Sequence, residues 1–421
     1  MISCREVRMG KPASGNQISA NPVAMKNKIH GKKIFSILFL LFALYSPPLG
    51  AQTLSPAAEV SIITFGPGRE ELYAAFGHSA IRVQDPLNGF DVAYNYGTFD
   101  FNQPHFYLNF ARGYMIYLLS VEDFGRMQAY YRYYHRSITE QVLRLTPAQK
   151  QKVFDYLQHN ARPENASYYY DYFYDNCATK IGDVFRLALA DEFRFDSSFV
   201  EEPGLTIRTL TDRYTAAYFP WGKLGIDLCL GLPMDKRLSN MEYTFLPDYV
   251  FKAFAKASIK INGRWQPVVR EVRQLYTPPE SEKKKPWLTP HLVFWSFFGL
   301  VGLLTLYAYR HHKSLRWFDF LWFLVLGLLG VFLLLLWLAT NHKAAAWNLN
   351  LLWAWPSHLV ISFWLLRRIR PRWVNWYLLV TAVVGIILVL TWPWLPQALN
   401  TALIPLVLIT VMRSVFAIAR E

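Results

Sequence analysis

The stretch YYYDYFYDNCATKIGDVFRLALAD, residues 168–191, carries the clearest structural signal in the chain. After Cys177, small or apolar residues recur with the spacing of one helical face. These residues are Ala178, Ile181, Val184, Phe185 and Ala188. Asp175 or Asn176, just before them, is a competent N-cap. The pattern predicts a helix over 177–190 that has Cys177 in its first turn.

The position of Cys177 makes it a candidate nucleophile. The first turn of a helix offers unpaired backbone N–H groups and a positive dipole end, which favour the nucleophilic thiolate. The same N–H groups are candidates for an oxyanion hole. A free cysteine is otherwise a small buried hydrophobe, and we expect that role for Cys229, which has apolar neighbours in GIDLCLGL. With Cys4 in the leader, the three cysteines leave no room for a disulfide framework.

A cysteine nucleophile needs a base from a rigid neighbour, and FGHSAIRV, residues 76–83, supplies His78 at the start of a predicted strand. The other soluble-domain histidines open no evident strand. They are His105, His135 and His159. A third polar group would orient the imidazole. We predict Asn95 of the returning strand for this role, with Tyr94 and Asp91 behind it.

The other signals before residue 286 predict a domain of mixed α and β structure. Strands are predicted over 59–64, 79–83 and 89–96, and a helix over 146–159. Residues 259–269 predict a hairpin that turns at Asn262 and Gly263. About 230 residues are enough for a sizeable core.

The composition points to a membrane protein. The 421 residues are 53% hydrophobic and 18% charged, with a net charge of +14, and the apolar residues are concentrated after Trp287. Five apolar segments there approach the ~20 residues that a spanning helix needs. They cover about 291–309, 318–340, 345–366, 374–395 and 397–418. The positive charge lies mostly in the leader and in short loops, so we expect no nucleic-acid partner.

Two independent signals give one topology. The loops 310–316 and 367–372 are strongly basic, so the positive-inside rule places them in the cytoplasm and residues 52–286 outside it. The apolar stretch 34–45, after two lysines, is typical of a secretory signal, with an uncleaved anchor as the alternative. We therefore divide the chain into a leader and signal peptide (1–51), a periplasmic domain (52–276), a linker (277–290) and a five-helix transmembrane domain (291–421).

The third apolar segment carries polar residues in otherwise apolar sequence: Asn348, Asn350, Ser357 and His358. Polar groups at membrane depth are costly. They either line a substrate path or form hydrogen bonds between helices, and the sequence leaves both roles open.

Several blocks of the sequence resemble the Bacteroidetes lipoprotein N-acyltransferase family, Lnb. These blocks are FGHSAIRV, YNYGTFDF, YDNCATKIGD, FLPDYV and the five-helix tail. The order of histidine before Asn-Cys is also similar to that of circularly permuted papain-like enzymes of the NlpC/P60 and lecithin:retinol acyltransferase groups. The resemblance implies an α+β papain-like (permuted NlpC/P60-like) extracytoplasmic domain followed by an all-α bundle of five transmembrane helices.

The resemblance also implies a reaction. His78 and Cys177 correspond to base and nucleophile, whereas the permuted acyltransferases often have a histidine in place of Asn95. Asn176, Asp175 and Tyr94 are expected near the substrate or the oxyanion. Cys177 would take an acyl chain from a phospholipid as a thioester and pass it to the N-terminal amine of a lipidated lipoprotein. The implied location is the inner membrane, multi-pass, with the catalytic domain in the periplasm.

Two alternatives remain open from the sequence. The same cysteine and histidine occur in NlpC/P60-like peptidases that cleave cell-wall peptides, and a degenerate domain of this kind would make a non-catalytic membrane assembly factor. The chain has no HExxH or paired CxxC and no phosphate-loop or dinucleotide motif. We therefore expect no metal and no cofactor.

Overall fold

A computed structural model describes residues 52–99, 103–279 and 285–420. The predicted leader and signal peptide, residues 1–51, lie outside the described residues.

A seven-stranded antiparallel sheet forms the centre of the soluble domain, in the order β10-β5-β1-β2-β3-β4-β6. The strands are β1 (Glu59–Phe65), β2 (His78–Asp85), β3 (Phe90–Thr98), β4 (Ile116–Asp123), β5 (Ile138–Leu143), β6 (Ser167–Tyr169) and β10 (Val269–Tyr276). The three strands predicted over 59–64, 79–83 and 89–96 are thereby confirmed.

The soluble domain also contains helices, and some of them cover the two faces of this sheet. They are α1 (Phe106–Ala111), α2 (Phe124–Tyr133), α3 (Pro147–Asn160), α4 (Cys177–Leu189), α5 (Ile207–Thr215), α6 (Pro220–Cys229) and α7 (Pro247–Lys256). Val60 and Ile62 of β1 face the core under α3, α4 and α7. Ile63 and Phe65 face the opposite core under α2. Because both faces of β1 are buried, its sequence is almost continuously apolar.

The local signals for two helices and one hairpin are confirmed. A capping box between Thr146 and Gln149 begins α3, and Asn176 caps α4. A small second sheet contains β7 (Phe193–Arg194), β8 (Ser258–Ile261) and β9 (Arg264–Pro267). Asn262 and Gly263 join β8 to β9, each with a positive φ (50° and 76°), as a tight hairpin turn requires.

The C-terminal region is helical. Within the described residues, four helical stretches are long and apolar enough to cross a membrane. They contain α8 (Pro290–Arg310), α9 (Arg316–Leu338), α11 (Arg372–Thr391) and α12 (Ile404–Ala419). Near the basic loops, the buried Arg413 of α12 forms two hydrogen bonds to the carboxylate of Asp319 on α9, at 2.7 and 3.0 Å. This ion pair joins α9 to α12.

The third apolar segment differs from the continuous helix predicted over 345–366. It consists of a 3-10 turn (Leu349–Leu352), an irregular stretch and the short helix α10 (His358–Leu365). Pro356 has no N–H to continue a helix, so α10 begins only after it. Irregular backbone at membrane depth is tolerated where protein buries it. Helix α9 packs closely against this segment at two glycines. A Cβ on Gly327 or Gly330 would lie within 2.2 Å of a backbone atom of the segment.

The two asparagines of the third apolar segment form hydrogen bonds to the soluble domain. Asn348 donates a hydrogen bond to the carbonyl of Leu228 at 2.8 Å, and Asn350 donates to the carbonyl of Asp227 at 3.1 Å. Both acceptors lie in the last turn of α6, where helix carbonyls lack partners of their own. Asn348 and Asn350 therefore cap a helix of the soluble domain, whereas Ser357 and His358 each form a hydrogen bond with the hydroxyl of Tyr377 on α11.

A buried ionic cluster completes this junction. The carboxylate of Asp227, which is 1% exposed, accepts hydrogen bonds from Arg208 (2.7 Å), Lys223 (2.8 Å) and Asn400 (2.9 Å). Asn400 belongs to the loop between α11 and α12, so the cluster joins helices α5 and α6 of the soluble domain to the membrane domain. Buried charges that are fully paired resist separation, because breaking one pair leaves an uncompensated charge.

Candidate active site

Strand β2 and helix α4 bring His78 and Cys177 together. His78 is the first residue of β2 and pairs with Phe65 of β1. Gly77 before it has a φ of 79°, and a Cβ there would lie 2.7 Å from the carbonyl oxygen of Phe65. A glycine is therefore required to bring the chain into the strand at this point. The buried face of α4 packs on the sheet through Ile181, which places the N-terminus of α4 beside β2.

Asn176 fixes the start of α4. Its side-chain oxygen accepts hydrogen bonds from the N–H groups of Ala178 (2.8 Å) and Thr179 (3.0 Å). Its side-chain nitrogen donates to the carbonyls of Tyr172 and Phe245, both at 2.8 Å. The expectation that Asn176 contacts the substrate or oxyanion stays a prediction, and its side-chain oxygen and nitrogen are engaged within the chain. Asn176 sets the position of Cys177.

Cys177 and His78 lie close enough for each to shift the pKa of the other, and both side chains are partly buried. Burial alone would raise the pKa of Cys177, but the charge of His78 and hydrogen bonds from His78 and the N–H groups of Ser79 and Ala178 bring it below its ordinary value. Burial alone would lower the pKa of His78, but the thiolate and hydrogen bonds to Cys177 and Asn95 raise it. Each partner therefore favours the charged form of the other, thiolate for Cys177 and imidazolium for His78.

Asn95 and Glu122 determine which nitrogen of His78 faces the sulfur. Asn95 donates a hydrogen bond through its side-chain nitrogen to Glu122 Oε1 at 2.8 Å, because a carboxylate can only accept. The amide oxygen of Asn95 then accepts from His78 Nε2–H at 2.7 Å. Nδ1 of His78 is thereby left as the nitrogen that exchanges a proton with Cys177. Ser120, opposite Asn95 in the sheet, also donates to Glu122 Oε1 at 2.7 Å.

Aromatic rings enclose the imidazole. Phe65 and Tyr131 stack on each other with ring centroids 3.6 Å apart, and each lies nearly parallel to His78 at 6.1 and 6.3 Å. The guanidinium of Arg136 lies over Tyr131 and donates to the carbonyl of Gly66. These rings limit rotation of the imidazole and keep its surroundings apolar.

The sequence did not identify Glu122, Ser120, Phe65 or Tyr131 as parts of this site. The polar alternation of Ser120 and Glu122 on β4 is a usable signal, since both point to one face of a strand. No comparable signal marks Phe65 and Tyr131, because an aromatic residue beside an active site and one in a core have the same pattern.

Tyr94, Asp175 and Asp91 are not beside the reactive pair. Tyr94 points to the opposite face of β3 from Asn95, is fully buried, and accepts a hydrogen bond from Gln158. This strand alternation places the Tyr94 side chain away from the reactive pair. Asp175 pairs with Lys180 at 2.7 Å rather than facing the sulfur. Asp91 binds Arg82 through both carboxylate oxygens.

The other candidate residues, three histidines and Cys229, lie away from the reactive pair. His135 contacts Tyr276 and His159 contacts Asn165, while His105 has left-handed backbone before α1. Cys229, at the end of α6, has its pKa raised by burial alone. It therefore lacks the activation that Cys177 receives.

The first turn of α4 offers one candidate oxyanion donor. The N–H groups of Ala178 and Thr179 are directed to Asn176, and that of Lys180 to the carbonyl of Asn176. In the described part of the chain, no acceptor is found for the N–H of Cys177 itself. Among the N–H groups of this turn, that of Cys177 is therefore the predicted oxyanion donor.

Within residues 52–99, 103–279 and 285–420, no group of three or more histidine, cysteine, aspartate or glutamate side chains is arranged to hold a metal ion.

Fold and site together define a multi-pass membrane protein whose mixed α/β soluble domain carries a cysteine-histidine-asparagine cluster. Residues 51–213 match the family model described as the Lnb N-terminal periplasmic domain, and residues 281–420 match the Lnb transmembrane domain. The chain therefore belongs to the Lnb family, which is an acyltransferase family, and its soluble domain is periplasmic. No curated protein and no solved structure matches the chain. The relationship to papain-like enzymes stays a prediction.

Proposed function

We propose that this protein moves a fatty acyl chain from a phospholipid, through a thioester on Cys177, to the N-terminal amine of lipidated lipoproteins. The observation that carries the proposal is that Cys177, at the N-terminus of α4, is coupled to His78, which is itself held by hydrogen bonds through Asn95 to Glu122. Membership of an acyltransferase family supports acyl transfer. Four long apolar helices support substrates that are themselves held in a membrane.

In the first half-reaction, Nδ1 of His78 takes the proton of the Cys177 thiol. The thiolate attacks an ester carbonyl of the phospholipid, and the carbonyl oxygen takes up the negative charge beside the N–H of Cys177. The ester C–O bond then breaks, the imidazolium returns the proton to the leaving oxygen, and a lysophospholipid departs. The acyl chain remains on sulfur as a thioester.

In the second half-reaction, the α-amine of the acceptor lipoprotein attacks the thioester carbonyl. His78 accepts a proton from the nitrogen as the C–N bond forms. The C–S bond breaks, and the proton passes to the sulfur to restore the thiol. The product is an amide, so each proton and each acyl group is accounted for without a cofactor.

Asn95 and Glu122 act by positioning. The Asn95 oxygen holds His78 Nε2–H, and the carboxylate of Glu122 holds the Asn95 amide in the matching orientation. An imidazole that carries a second proton interacts more strongly with this row, which favours the imidazolium formed during each attack.

The surroundings of Cys177 favour a lipid over a cell-wall peptide. The Tyr170 ring lies near Cys177 across Gly97, and Phe65 and Tyr131 stack beside His78. Apolar walls suit an acyl chain. The basic loops at one end of the helices further favour the inner membrane, where the soluble domain would face the lipoproteins in the periplasm.

Intact-mass analysis of a lipoprotein tests the proposal. Cells that depend on this protein for N-acylation would carry the unsubstituted chain, Cys177→Ala or Cys229→Ala. Cys229→Ala is the matched control, because it removes the other described cysteine, which has no histidine partner. We expect loss of one acyl mass with Cys177→Ala alone. An unchanged lipoprotein mass with Cys177→Ala refutes the proposal.

A further inference from the structure

The segment around α1 presents an exposed apolar surface that the proposed chemistry does not use. We call residues 104–116 the α1 segment. Its exposed apolar side chains are Tyr107 (77% exposed), Leu108 (54%), Phe110 (42%), Tyr114 (41%) and Ile116 (36%). Arg112 is also exposed, and its guanidinium lies 5.2 Å from the ring centroid of Tyr114. Contiguous apolar exposure of this kind marks an interaction site.

The α1 segment touches the membrane domain where a spanning helix ends. The N–H of Asn341 donates to the carbonyl of Arg112 at 2.8 Å, and Nε2 of His342 bonds the carbonyl of Phe110 at 3.1 Å. Gly113 has a φ of 76°, and a Cβ there would lie 2.8 Å from the backbone of Asn341 and His342. Asn341 follows the end of α9 at Leu338 by three residues. The α1 segment therefore lies at the level where α9 leaves the bilayer.

A row of aromatic rings leads inward from this segment. Consecutive ring centroids are 6.3 Å apart from Phe110 to Phe106, 6.2 Å to Phe99, 5.3 Å to Tyr117 and 4.2 Å to Tyr170. We call these five residues the aromatic row.

The aromatic row ends at the nucleophile. A Cβ placed on Gly97 would lie 3.5 Å from the ring of Tyr170 and 3.3 Å from the Cβ of Cys177. The missing side chain at Gly97, where φ is 93°, keeps the space between ring and cysteine open. The row thus connects a surface at membrane level with the sulfur.

We propose that the α1 segment inserts its exposed apolar side chains into the outer leaflet and that the aromatic row guides a phospholipid acyl chain from there to Cys177. The occupant is the lipid bilayer, because the segment is continuous with the periplasmic end of α9. Aromatic rings and an arginine are the residues favoured at a membrane interface. This inference rests on the proposed function for its second half only, since insertion does not require catalysis.

Two leucines allow a matched test of the acyl path. Leu108 lies in the α1 segment, whereas Leu87, which is 73% exposed, lies in the turn at the opposite end of β3. Full-length protein in vesicles would receive either a vesicle phospholipid or dihexanoyl-phosphatidylcholine below its micelle concentration, and release of lysophospholipid would be measured. We expect Leu108→Asp to slow release from the vesicle lipid on the order of tenfold, since each ~1.4 kcal/mol lost in binding is tenfold. The soluble donor should be unaffected, and Leu87→Asp should change neither rate.

Insertion has its own readout. A nitroxide would be attached to Leu108→Cys or Leu87→Cys in an otherwise cysteine-free chain in vesicles, and its collisions with oxygen and with a water-soluble nickel complex compared. We expect the label at 108 to favour oxygen and the label at 87 to favour nickel.

The outcomes separate the two proposals. Equal nickel access at both positions overturns insertion, and an unchanged vesicle rate for Leu108→Asp overturns the acyl path. A parallel loss with the soluble donor also overturns the path, because the defect would then lie at the cysteine. If the unsubstituted protein releases no lysophospholipid from either donor, the proposed function fails, while the label measurement still decides insertion.

Discussion

The hydrogen bond between His78 and Asn95 gives the sharpest quantitative prediction. Asn95→Ala removes the acceptor of His78 Nε2–H, now at 2.7 Å, and leaves Glu122 without its amide partner. The imidazole can then rotate and present either nitrogen to the sulfur. The lost bond is made most strongly to the imidazolium, so its removal should affect the rate of acylation rather than the stability of the fold.

The size of the effect follows from the charge on the donor. A hydrogen bond to a charged group contributes about 1.5–3 kcal/mol. At ~1.4 kcal/mol per decade of rate, Asn95→Ala should slow formation of the Cys177 thioester roughly 10- to 150-fold. Cys177→Ala should abolish it, so the two variants differ in degree.

A single-turnover assay measures this rate. Full-length protein in vesicles is mixed with a phospholipid donor, and the acylated protein is followed by intact mass. Asn95→Asp places a second carboxylate against Glu122 and should also be slow, whereas Asn95→Asp combined with Glu122→Gln restores one carboxylate and one amide and should recover most of the rate. An Asn95→Ala rate within about twofold of the unsubstituted protein would refute the positioning argument, as would a double variant no faster than Asn95→Asp.

Three further predictions concern other parts of the chain. Alkylation of Cys177 by iodoacetamide should persist below the ordinary cysteine pKa of about 8.5. In His78→Ala, the inflection in the pH dependence of the alkylation rate should move to higher pH, because the effect of burial, which raises the thiol pKa, is no longer opposed by His78. An unmoved inflection would count against the pairing of Cys177 with His78. Asn176→Ala should lower the free energy of unfolding of the soluble domain by about 1–2 kcal/mol or more, measured by denaturant titration, because it removes an N-cap and leaves two carbonyls without donors. Arg413→Leu should destabilise the helical domain by about 3–5 kcal/mol, measured by unfolding in detergent, because the buried carboxylate of Asp319 loses its charged partner. The double variant Arg413→Leu with Asp319→Leu should recover most of this loss. Equal stability of the single and double variants would contradict the argument.

Local sequence signals were sufficient to predict a helix or strand where a single residue fixes the backbone at its start. The helix at Cys177 was predictable because an N-cap and an apolar face lie within a few residues of each other, and the strand at His78 because Gly77 and an apolar run define its start. The pairing of His78 with Cys177 followed from chemistry alone, since a thiolate needs a base.

Side-chain contacts between strands that are far apart in the sequence could not be predicted from such local signals. Asn95 and Glu122 lie 27 residues apart, and only the pairing of Asn95 with Ser120 places Glu122 on the same face of the sheet. A shift of one residue would have presented Tyr94 in place of Asn95, so the sequence alone could not decide which of the two faces His78. Pro356 can be read from the sequence, but the close packing that buries the interrupted backbone there depends on Gly327 of α9.

The two contacts between the domains differ in kind, and the difference bears on donor choice. At one, the buried charge of Asp227 and the capping by Asn350 resist separation, so the soluble domain is held at a fixed height. At the other, the α1 segment forms hydrogen bonds to Asn341 and His342 beyond the end of α9, and its apolar side chains remain exposed. If the proposed acyl path is used, the aromatic row should select for the acyl chain, because it carries no charged side chain. We expect the exposed Arg112 of the α1 segment to meet the phosphate that all phospholipids share.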